Sequence, residues 1–423
     1  MLSGSAPDRW KRAASALGAL LLAVLVACGP GSAGGQSAGA ARTPTPGPVA
    51  AQEPQPLRVG LSAATSGGAA ASGEAIQRGI QLAIDEINGQ GGINGRPLEL
   101  VVRDHGGDPA KGAANVRELV EGQRAVAVFG GAQTPVALAE ADTAQQLQVP
   151  YLVPWATGTR IVQSDRRPSF AFRVSANDRG VDRFLVSYLT RGLARQSPAL
   201  FVEDSPRGEA DLEILTQSLA EAGLRPAAVE RLQRDEADLA PRLSRARDAG
   251  FDSLVLVADP VDGAQILRDL AKLGLDPGAT PVVTHLGLAG REVGPLAETA
   301  NDVRTVQTYS FFGEQNIPGK RVSSGYLRKY GGKGPEDITA PVGVANAFDA
   351  LHLLARALRQ ASDPTSGEAV RQALEDLQTP YEGLIKTYQR PFTPDSHEAL
   401  SPDDYLMAVW KDGQLLPERV AAR

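Results

Sequence analysis

Cysteine and histidine are scarce in this chain of 423 residues. The single cysteine, Cys28, excludes an internal disulfide. The histidines are scattered, and none has the spacing of a zinc-ligand pair; they are His105, His285, His352 and His397. No paired catalytic groups stand out. These absences argue against an enzyme and against a bound metal.

The chain also lacks a run of basic residues. It has 43 lysines and arginines against 49 aspartates and glutamates. Removing residues 1–27 takes away three basic side chains and one acidic one, which leaves 40 against 48, a net charge of −8 with neutral histidines. A mildly acidic surface does not favour nucleic-acid binding.

The apolar run at the amino end, residues 13–27, is too short to span a bilayer comfortably. It follows Arg9, Lys11 and Arg12, and this order is typical of an export signal. Leu25-Val26-Ala27-Cys28 resembles a bacterial lipobox, which predicts cleavage before Cys28 and lipid attachment to it. The alternatives are an uncleaved anchor and a cleaved signal with an incidental cysteine. Acyl chains would hold the protein at the outer face of the cell membrane.

Residues 28–56 contain almost no large apolar side chain. Glycine, alanine, serine, threonine and proline dominate, so we expect a flexible tether. The folded part then begins near Leu57 and exceeds the length of one usual core, which favours two lobes.

Residues 73–104 carry the clearest periodic pattern. Apolar side chains recur on one helical stripe at Ile76, Ile80, Ile84 and Ile87. Short β-branched segments lie on either side, at residues 57–61 and 98–102. Strand, helix and strand in this order predict a right-handed βαβ unit. The glycines at 89–92 follow the helix instead of joining a strand to one, so no dinucleotide cofactor is predicted.

The alternation of strands and helices continues along the chain, which predicts an α/β fold with two Rossmann-like lobes and parallel central sheets. We expect the first lobe at residues 57–174 and 308–380, and the second at 175–307 and 381–423. Three passages between the lobes, near residues 170–174, 303–312 and 381–384, would form a hinge able to close over a ligand.

The opening of the folded part reads VGLSAATSGGAAASGEAIQRGIQLAIDEINGQGGINGRPL. Its strand, small-residue loop, long helix and Gly-Gly-Ile turn resemble the start of type I periplasmic binding proteins of the Leu/Ile/Val-binding kind. The resemblance extends over nearly all of residues 57–423. It implies a two-lobed fold that captures a solute in the cleft between the lobes.

Two loops resemble the ligand loops of that family. By motif, Thr134 matches a ligand-binding serine or threonine, and Ala156 and Thr157 match an Ala-Thr pair. The resemblance implies that their hydroxyl and backbone donors hold a ligand carboxylate. The alternatives are a helix-capping role for Thr134 and an ordinary turn at Ala156 and Thr157.

The second half of the family's site differs in this chain. Leu286 stands where members that bind α-amino acids have an acidic residue, and an ammonium buried without a counter-charge costs several kcal/mol. Either Asp204, Asp259 or Asp262 substitutes, or the ligand has no ammonium.

The aromatic walls of the family's site are also reduced. Ser72 and Arg207 occupy positions where the family has large aromatics, and Asp259 lies in another such stretch. Trp155 stands where a small residue is usual. We expect Trp155 to be either a ligand wall or a packing residue. Arg207 is predicted as a second anion contact or a solvated residue at a helix start.

The resemblance implies an extracytoplasmic, lipid-anchored, monomeric binding protein of an ABC importer, with permease and ATPase subunits as partners and no cofactor. Its ligand would be an amino acid, such as a branched-chain one, or a related small carboxylate or amide. The alternative is a ligand-sensing receptor domain on the same fold.

Overall fold

The computed structural model describes residues 54–233, 236–258, 260–286 and 300–418. The signal segment, most of the tether, Cys28 and Asp259 lie outside the described residues.

A sheet of five parallel strands forms the centre of the first lobe. The strands are β1 (Leu57–Ala63), β2 (Leu98–Asp104), β3 (Ala125–Phe129), β4 (Tyr151–Val153) and β5 (Ala171–Arg173). Their order is β2-β1-β3-β4-β5, so the strand order reverses between β1 and β3. Every residue of β3 and β4 is buried, as expected when helices cover both faces of a parallel sheet.

Helices connect these strands and cover the sheet. They are α1 (Ala70–Gly89), α2 (Pro109–Arg117) and α3 (Thr134–Leu147). The four isoleucines of the predicted stripe are all buried in α1, which confirms that pattern. Asp108 caps α2 by accepting hydrogen bonds from the N–H groups of Ala110 and Lys111.

The second lobe contains a sheet of seven strands. They are β6 (Pro198–Glu203), β7 (Ala228–Leu232), β8 (Ser253–Val257), β9 (Val282–Thr284), β10 (Arg304–Gln307), β13 (Leu406–Lys411) and β14 (Gln414–Pro417), in the order β14-β13-β10-β9-β8-β6-β7. The short strands β11 (Tyr381–Glu382) and β12 (Thr387–Tyr388) form a separate pair. Strands β6 to β10 are parallel, and the hairpin β13–β14 is antiparallel. Left-handed Asp412 and Gly413 form the turn of this hairpin.

The remaining helices are α4 (Asp178–Ser187), α5 (Pro206–Glu221), α6 (Ala240–Asp248), α7 (Pro260–Lys272), α8 (Ile317–Tyr330), α9 (Pro341–Gln360) and α10 (Gly367–Glu375). Helix α9 is buried along most of its length and packs on α1, so the chain returns to the first lobe after β10. No helix among the described residues is both long enough and apolar enough to cross a membrane.

A third passage between the lobes is predicted at residues 381–384. Those residues pack on α9, because the buried carboxylate of Asp349 accepts hydrogen bonds from the Tyr381 hydroxyl and the Leu384 N–H. The chain then runs beside Arg173 at Glu398 before it enters β13. We therefore propose that the carboxyl-terminal part of the second lobe begins near residue 398 and not at residue 381.

Candidate functional site

Three loops meet at the carboxyl edge of the first sheet. They follow β1, β3 and β4 and comprise residues 64–69, 130–133 and 154–158. Leu61 lies opposite Phe129, and Phe129 lies opposite Leu152, so the strand ends are side by side. Open parallel sheets bind ligands at this edge, where the strand order reverses.

Thr134, the first residue of α3, packs directly on the loop after β4. The N–H of Gly158 donates to Thr134 Oγ1 over 3.2 Å. A Cβ at position 158 would lie 2.3 Å from Thr134 Cγ2, so this close approach requires glycine. Because the oxygen of Thr134 accepts this bond, its hydroxyl hydrogen is available to a ligand oxygen.

Residues 155–158, called the ligand loop below, direct four successive carbonyl groups toward the segment that leaves the first lobe. Ser175 Oγ donates to Trp155 O (3.1 Å), and Asp178 N donates to Thr157 O (2.9 Å). Arg173 donates to the other two carbonyls, those of residues 156 and 158. In a trans peptide the N–H points opposite to the carbonyl of the preceding residue. The N–H groups of residues 156–159 therefore point away from that segment, as the bond from residue 158 to Thr134 shows.

Trp155 belongs to the core of the first lobe. A Cβ at Gly343 of α9 would lie 2.7 Å from Trp155 Cζ3, and Ala75 of α1 borders the same position. The side chain fills the space between these two helices and is 9% exposed. Its packing role is therefore observed, and a role as ligand wall stays a prediction.

Ser72 lies within the first turn of α1, because the helix begins at Ala70, three residues before the predicted start. Its hydroxyl donates to Ala69 O over 2.7 Å. The role of Ser72 in the structure is local, and a contact with a ligand stays a prediction.

Five ionisable side chains form a cluster at the carboxyl edge of the second sheet. We call Asp178, Asp182, Arg207, Asp211 and His285 the charged cluster. The ring of His285 lies between two carboxylates, with Nε2 2.8 Å from Asp182 Oδ1 and Nδ1 3.4 Å from Asp178 Oδ1. Arg207 Nε is 3.2 Å from Asp178 Oδ2 and 3.6 Å from Asp211 Oδ2. Arg207 alone reaches solvent, with 29% of its side chain exposed.

Burial and mutual charge shift the pKa values within this cluster. Burial opposes ionisation of Asp178, but Arg207 and His285 hold its pKa well below its usual range. Burial also disfavours the imidazolium of His285, yet the Asp182 and Asp178 carboxylates raise its pKa to about 10. Burial raises the pKa of Asp182 to about 6 and, with the nearby charge of Asp178, that of Asp211 to about 8. Three carboxyl groups thus face two cations, and Asp211 keeps its proton at neutral pH.

The geometry of Asp178, Asp211 and His285 would also suit a metal ion, since one ligand atom from each lies within 4.8 Å of the others. However, Arg207 contacts all three residues, with Nη2 3.4 Å from His285 Nδ1. The pKa of His285, raised to about 10, keeps its ring protonated at neutral pH. The residues therefore do not fit a metal unless the guanidinium leaves and the imidazolium loses a proton.

The two halves of the site touch at Asp178. Its N–H donates to the Thr157 carbonyl, and the Thr157 hydroxyl is among the groups that lower the pKa of its carboxylate. The structure therefore brings Thr134, Ala156, Thr157 and Arg207 into one continuous region.

The remaining residues of the predicted site are Leu286 and three aspartates. Leu286 is 2% exposed and belongs to the hydrophobic core, directly after His285. Asp204 is exposed and accepts a hydrogen bond from Gln233 Nε2. Asp262 is buried in α7. Asp259 lies outside the described residues.

The sequence interpretation missed Asp178, Asp182 and Asp211. A signal was present, because Asp178 and Asp182, and Arg207 and Asp211, are i, i+4 pairs that each occupy one helix face. Only the packing of α4 on α5 shows that these faces meet.

Comparison with known proteins identifies one family. The family model described as Periplasmic binding protein matches residues 56–414. Leu/Ile/Val-binding protein homolog 3 of Brucella melitensis biotype 1 is 22% identical over 360 residues, which cover 85% of this chain and 93% of the relative.

Solved structures share the fold. The branched-chain amino acid transporter substrate binding protein LivJ from Streptococcus pneumoniae, in complex with isoleucine, aligns with a TM-score of 0.73 at 24% identity, covering 85% of this chain and 97% of LivJ. A solute binding protein from R. palustris in complex with 4-hydroxybenzoate aligns with a TM-score of 0.73 at 17% identity, covering 86% and 96%. On the strength of the family match, which spans both lobes, this chain belongs to the periplasmic binding protein family, as a type I member of the Leu/Ile/Val-binding kind.

Proposed function

We propose that this protein is the substrate-binding lipoprotein of an ABC importer, held at the outer face of the cell membrane by acyl chains on Cys28. It captures an amino acid or a related small carboxylate or amide between its lobes and presents the closed form to a permease. It acts as a monomer and carries out no chemical reaction. The family supports an extracytoplasmic location and a small-molecule ligand.

The observation that carries this proposal is the polarity of the ligand loop. All four of its carbonyl groups accept hydrogen bonds from residues 173–178, so the main-chain groups that the loop turns away from that segment are its N–H donors. The Thr134 hydroxyl adds a donor beside the N–H of Gly158. Converging neutral donors bind an anionic or carbonyl oxygen. The carboxylate or amide of the ligand therefore binds here.

The charged cluster supports recognition of the ligand's other end. Asp211, whose pKa is raised to about 8, keeps its proton at neutral pH, so two carboxylates then balance two cations. An ammonium bound beside the cluster would favour release of that proton, and the third carboxylate would compensate for the leucine at position 286. A zwitterionic amino acid would place its ammonium near Asp178 and its carboxylate at the ligand loop. Arg207, whose guanidinium is bound to Asp178 and Asp211, is then a support of the cluster and only secondarily an anion contact.

Thermal-shift screening of the purified mature protein tests the ligand class. The panel contains L-isoleucine, L-leucine, their amides, 4-methylpentanoate and 4-hydroxybenzoate. Bound ligand stabilises the folded state by mass action, so a true ligand raises the melting temperature with concentration. A response to L-leucine but not to 4-methylpentanoate would show that the ammonium is recognised. If no compound in the panel shifts the melting temperature, the proposed ligand class is wrong.

Substitutions test the roles proposed for Thr134, Arg207 and Cys28. Thr134→Val removes the hydroxyl donor and should weaken the best ligand of the panel about tenfold, whereas Thr134→Ser should retain binding. Unchanged affinity in Arg207→Ala would eliminate the second anion contact.

The membrane anchor is tested separately. Cys28→Ser should move the protein from the membrane fraction to the soluble fraction.

A further inference from the structure

Arg173 is the last residue of β5 and its side chain is fully buried, with 0% exposed. Its guanidinium contacts three groups in three directions. Nη1 donates to Ala156 O over 3.1 Å, and Nη2 donates to Gly158 O over 2.8 Å. Nε lies 3.1 Å from Glu398 Oε2.

A buried guanidinium is costly unless its contacts compensate for the lost hydration. The planar fork of Arg173 donates to two carbonyl groups at once, and its contact with Glu398 is an ion pair without a hydrogen bond at Nε. The single ammonium of lysine cannot reach both carbonyl groups in the same geometry. A neutral or apolar side chain would fill the space without this cost. The arrangement therefore points to a requirement for the fork itself.

The main chain of Arg173 is paired with the third passage between the lobes. Its N–H donates to His397 O over 2.8 Å, and its carbonyl accepts from Ala399 N over 2.9 Å. Glu398 lies between these two residues, so side chain and main chain join the same pair of segments. Both segments lead into the second lobe, one to α4 and the other to β13.

The ligand loop is thus fixed by a series of contacts along one passage. Arg173 holds the carbonyls of residues 156 and 158, and Ser175 and Asp178 hold those of residues 155 and 157. Arg173 is in the sheet of the first lobe, whereas Asp178 begins the first helix of the second. A rotation of the second lobe would act on the carbonyls of residues 155 and 157, whereas Arg173 would keep the carbonyls of residues 156 and 158 in place.

We propose that Arg173 is a positioning residue of the binding site, which fixes the ligand loop to the segment that joins the lobes. It thereby keeps the N–H of Gly158 on Thr134, and the other N–H groups of the loop directed away from residues 173–178, during lobe movement. This inference deepens the proposed function and rests on it for what the loop binds. It does not depend on which ligand is bound.

Hydrogen exchange in the ligand-free, purified mature protein tests the inference. The reporters are two amides whose bonds involve the loop, Gly158 N to Thr134 Oγ1 and Asp178 N to Thr157 O. In Arg173→Lys we expect their exchange to be faster by about tenfold or more, because at least one loop carbonyl loses its donor. Peptides in β6 and β8 should exchange at the wild-type rate.

Arg371→Lys is the matched control, since Arg371 is also a buried arginine of the first lobe and pairs with Glu368 and Glu375. It should leave the two reporter amides unchanged. Equal exchange in Arg173→Lys and wild type, or an increase of the same size in every peptide, would overturn the proposal. If Arg173→Lys does not fold, Arg173→Gln is the second variant, because its side-chain amide can donate to only part of the group that Arg173 holds, and unchanged reporter amides in that variant would overturn the proposal as well.

Titration with L-isoleucine and with 4-hydroxybenzoate separates this proposal from the proposed function. A probe that the wild type binds should bind Arg173→Lys at least about tenfold more weakly and Arg371→Lys normally. Faster exchange at the loop together with wild-type affinity for a bound probe would show that the fork does not position the donors. If the wild type binds neither probe, the proposed ligand class loses support, and the exchange result still decides the role of Arg173.

Discussion

The two halves of the candidate site use different chemistry. The half in the first lobe consists of neutral groups from segments close in space and in sequence, namely Thr134 and residues 155–158. The half in the second lobe consists of five ionisable side chains from three separate segments. Neutral donors cost little to bury when they are bonded, whereas buried charges are stable only as a balanced set. We therefore expect substitutions in the charged cluster to affect folding most, and substitutions around the ligand loop to have smaller and more local effects.

The largest expected effect is that of His285→Ala. The imidazole is 3% exposed and lies between Asp178 and Asp182, so its loss leaves both of these carboxylates facing Arg207 alone. We expect the free energy of unfolding to fall by about 3–5 kcal/mol, measured by urea denaturation. The double variant Asp182→Asn/His285→Gln, which removes one charge of each sign, should recover part of this loss. If the single variant is as stable as the wild type, the cluster is not a balanced charge set.

The pH dependence of the free energy of unfolding should distinguish the charged cluster from the neutral half of the site in the first lobe. The folded-state pKa values of His285 and Asp211 are raised to about 10 and about 8, so both groups retain protons in the folded protein that they lose in the unfolded chain. Their contribution to stability therefore decreases as the pH rises, between about 6.5 and 10 for His285 and between about 4 and 8 for Asp211.

The matched variant for this experiment is Asp211→Asn. Between pH 6 and 8 the wild type should lose up to about 2.7 kcal/mol relative to it, because one proton is released on unfolding over that range. Urea denaturation at a series of pH values measures the difference. Parallel curves for the two proteins would show that Asp211 is ionised in the folded state.

Close packing behind the ligand loop gives the next largest effect. In Gly343→Ala the new methyl group would lie 2.7 Å from Trp155 Cζ3 and 3.0 Å from Ala75 Cβ. We expect a loss of about 2 kcal/mol in the free energy of unfolding. Gly325→Ala is the control, because a Cβ there makes only an ordinary contact of 3.7 Å with Leu82, and a helix gains about 0.5–1 kcal/mol from the change.

The smallest effect on stability is expected at Thr134. Thr134→Val removes the oxygen that accepts from Gly158 N and should cost about 1 kcal/mol, whereas Thr134→Ser keeps it. Thermal denaturation without ligand measures this difference. A loss as large as that of His285→Ala would contradict the contrast between the halves.

The sequence predicted the fold more fully than the site. Periodic segments such as α1 can be predicted from the local sequence, because one face must be buried. The apolar strands β3 and β8 can be predicted in the same way, because both of their faces must be buried. Thr134 and Thr157 were predicted by motif, since the loops that hold them are contiguous, and their contact with a ligand stays a prediction. The charged cluster depends on α4 packing against α5, and no local pattern encodes that contact. The later third passage that we propose rests on Asp349, which from a different helix holds residues 381–388 on the first lobe.

The position of Trp155 also provides an optical probe. The chain has three tryptophans, and the two among the described residues are Trp155, beside the ligand loop, and Trp410, in β13 of the other lobe. Each indole therefore senses a different lobe. In a variant that carries Trp10→Phe and Trp410→Phe, the tryptophan emission would come from the neighbourhood of the ligand loop, so solute capture could be followed without attaching a dye.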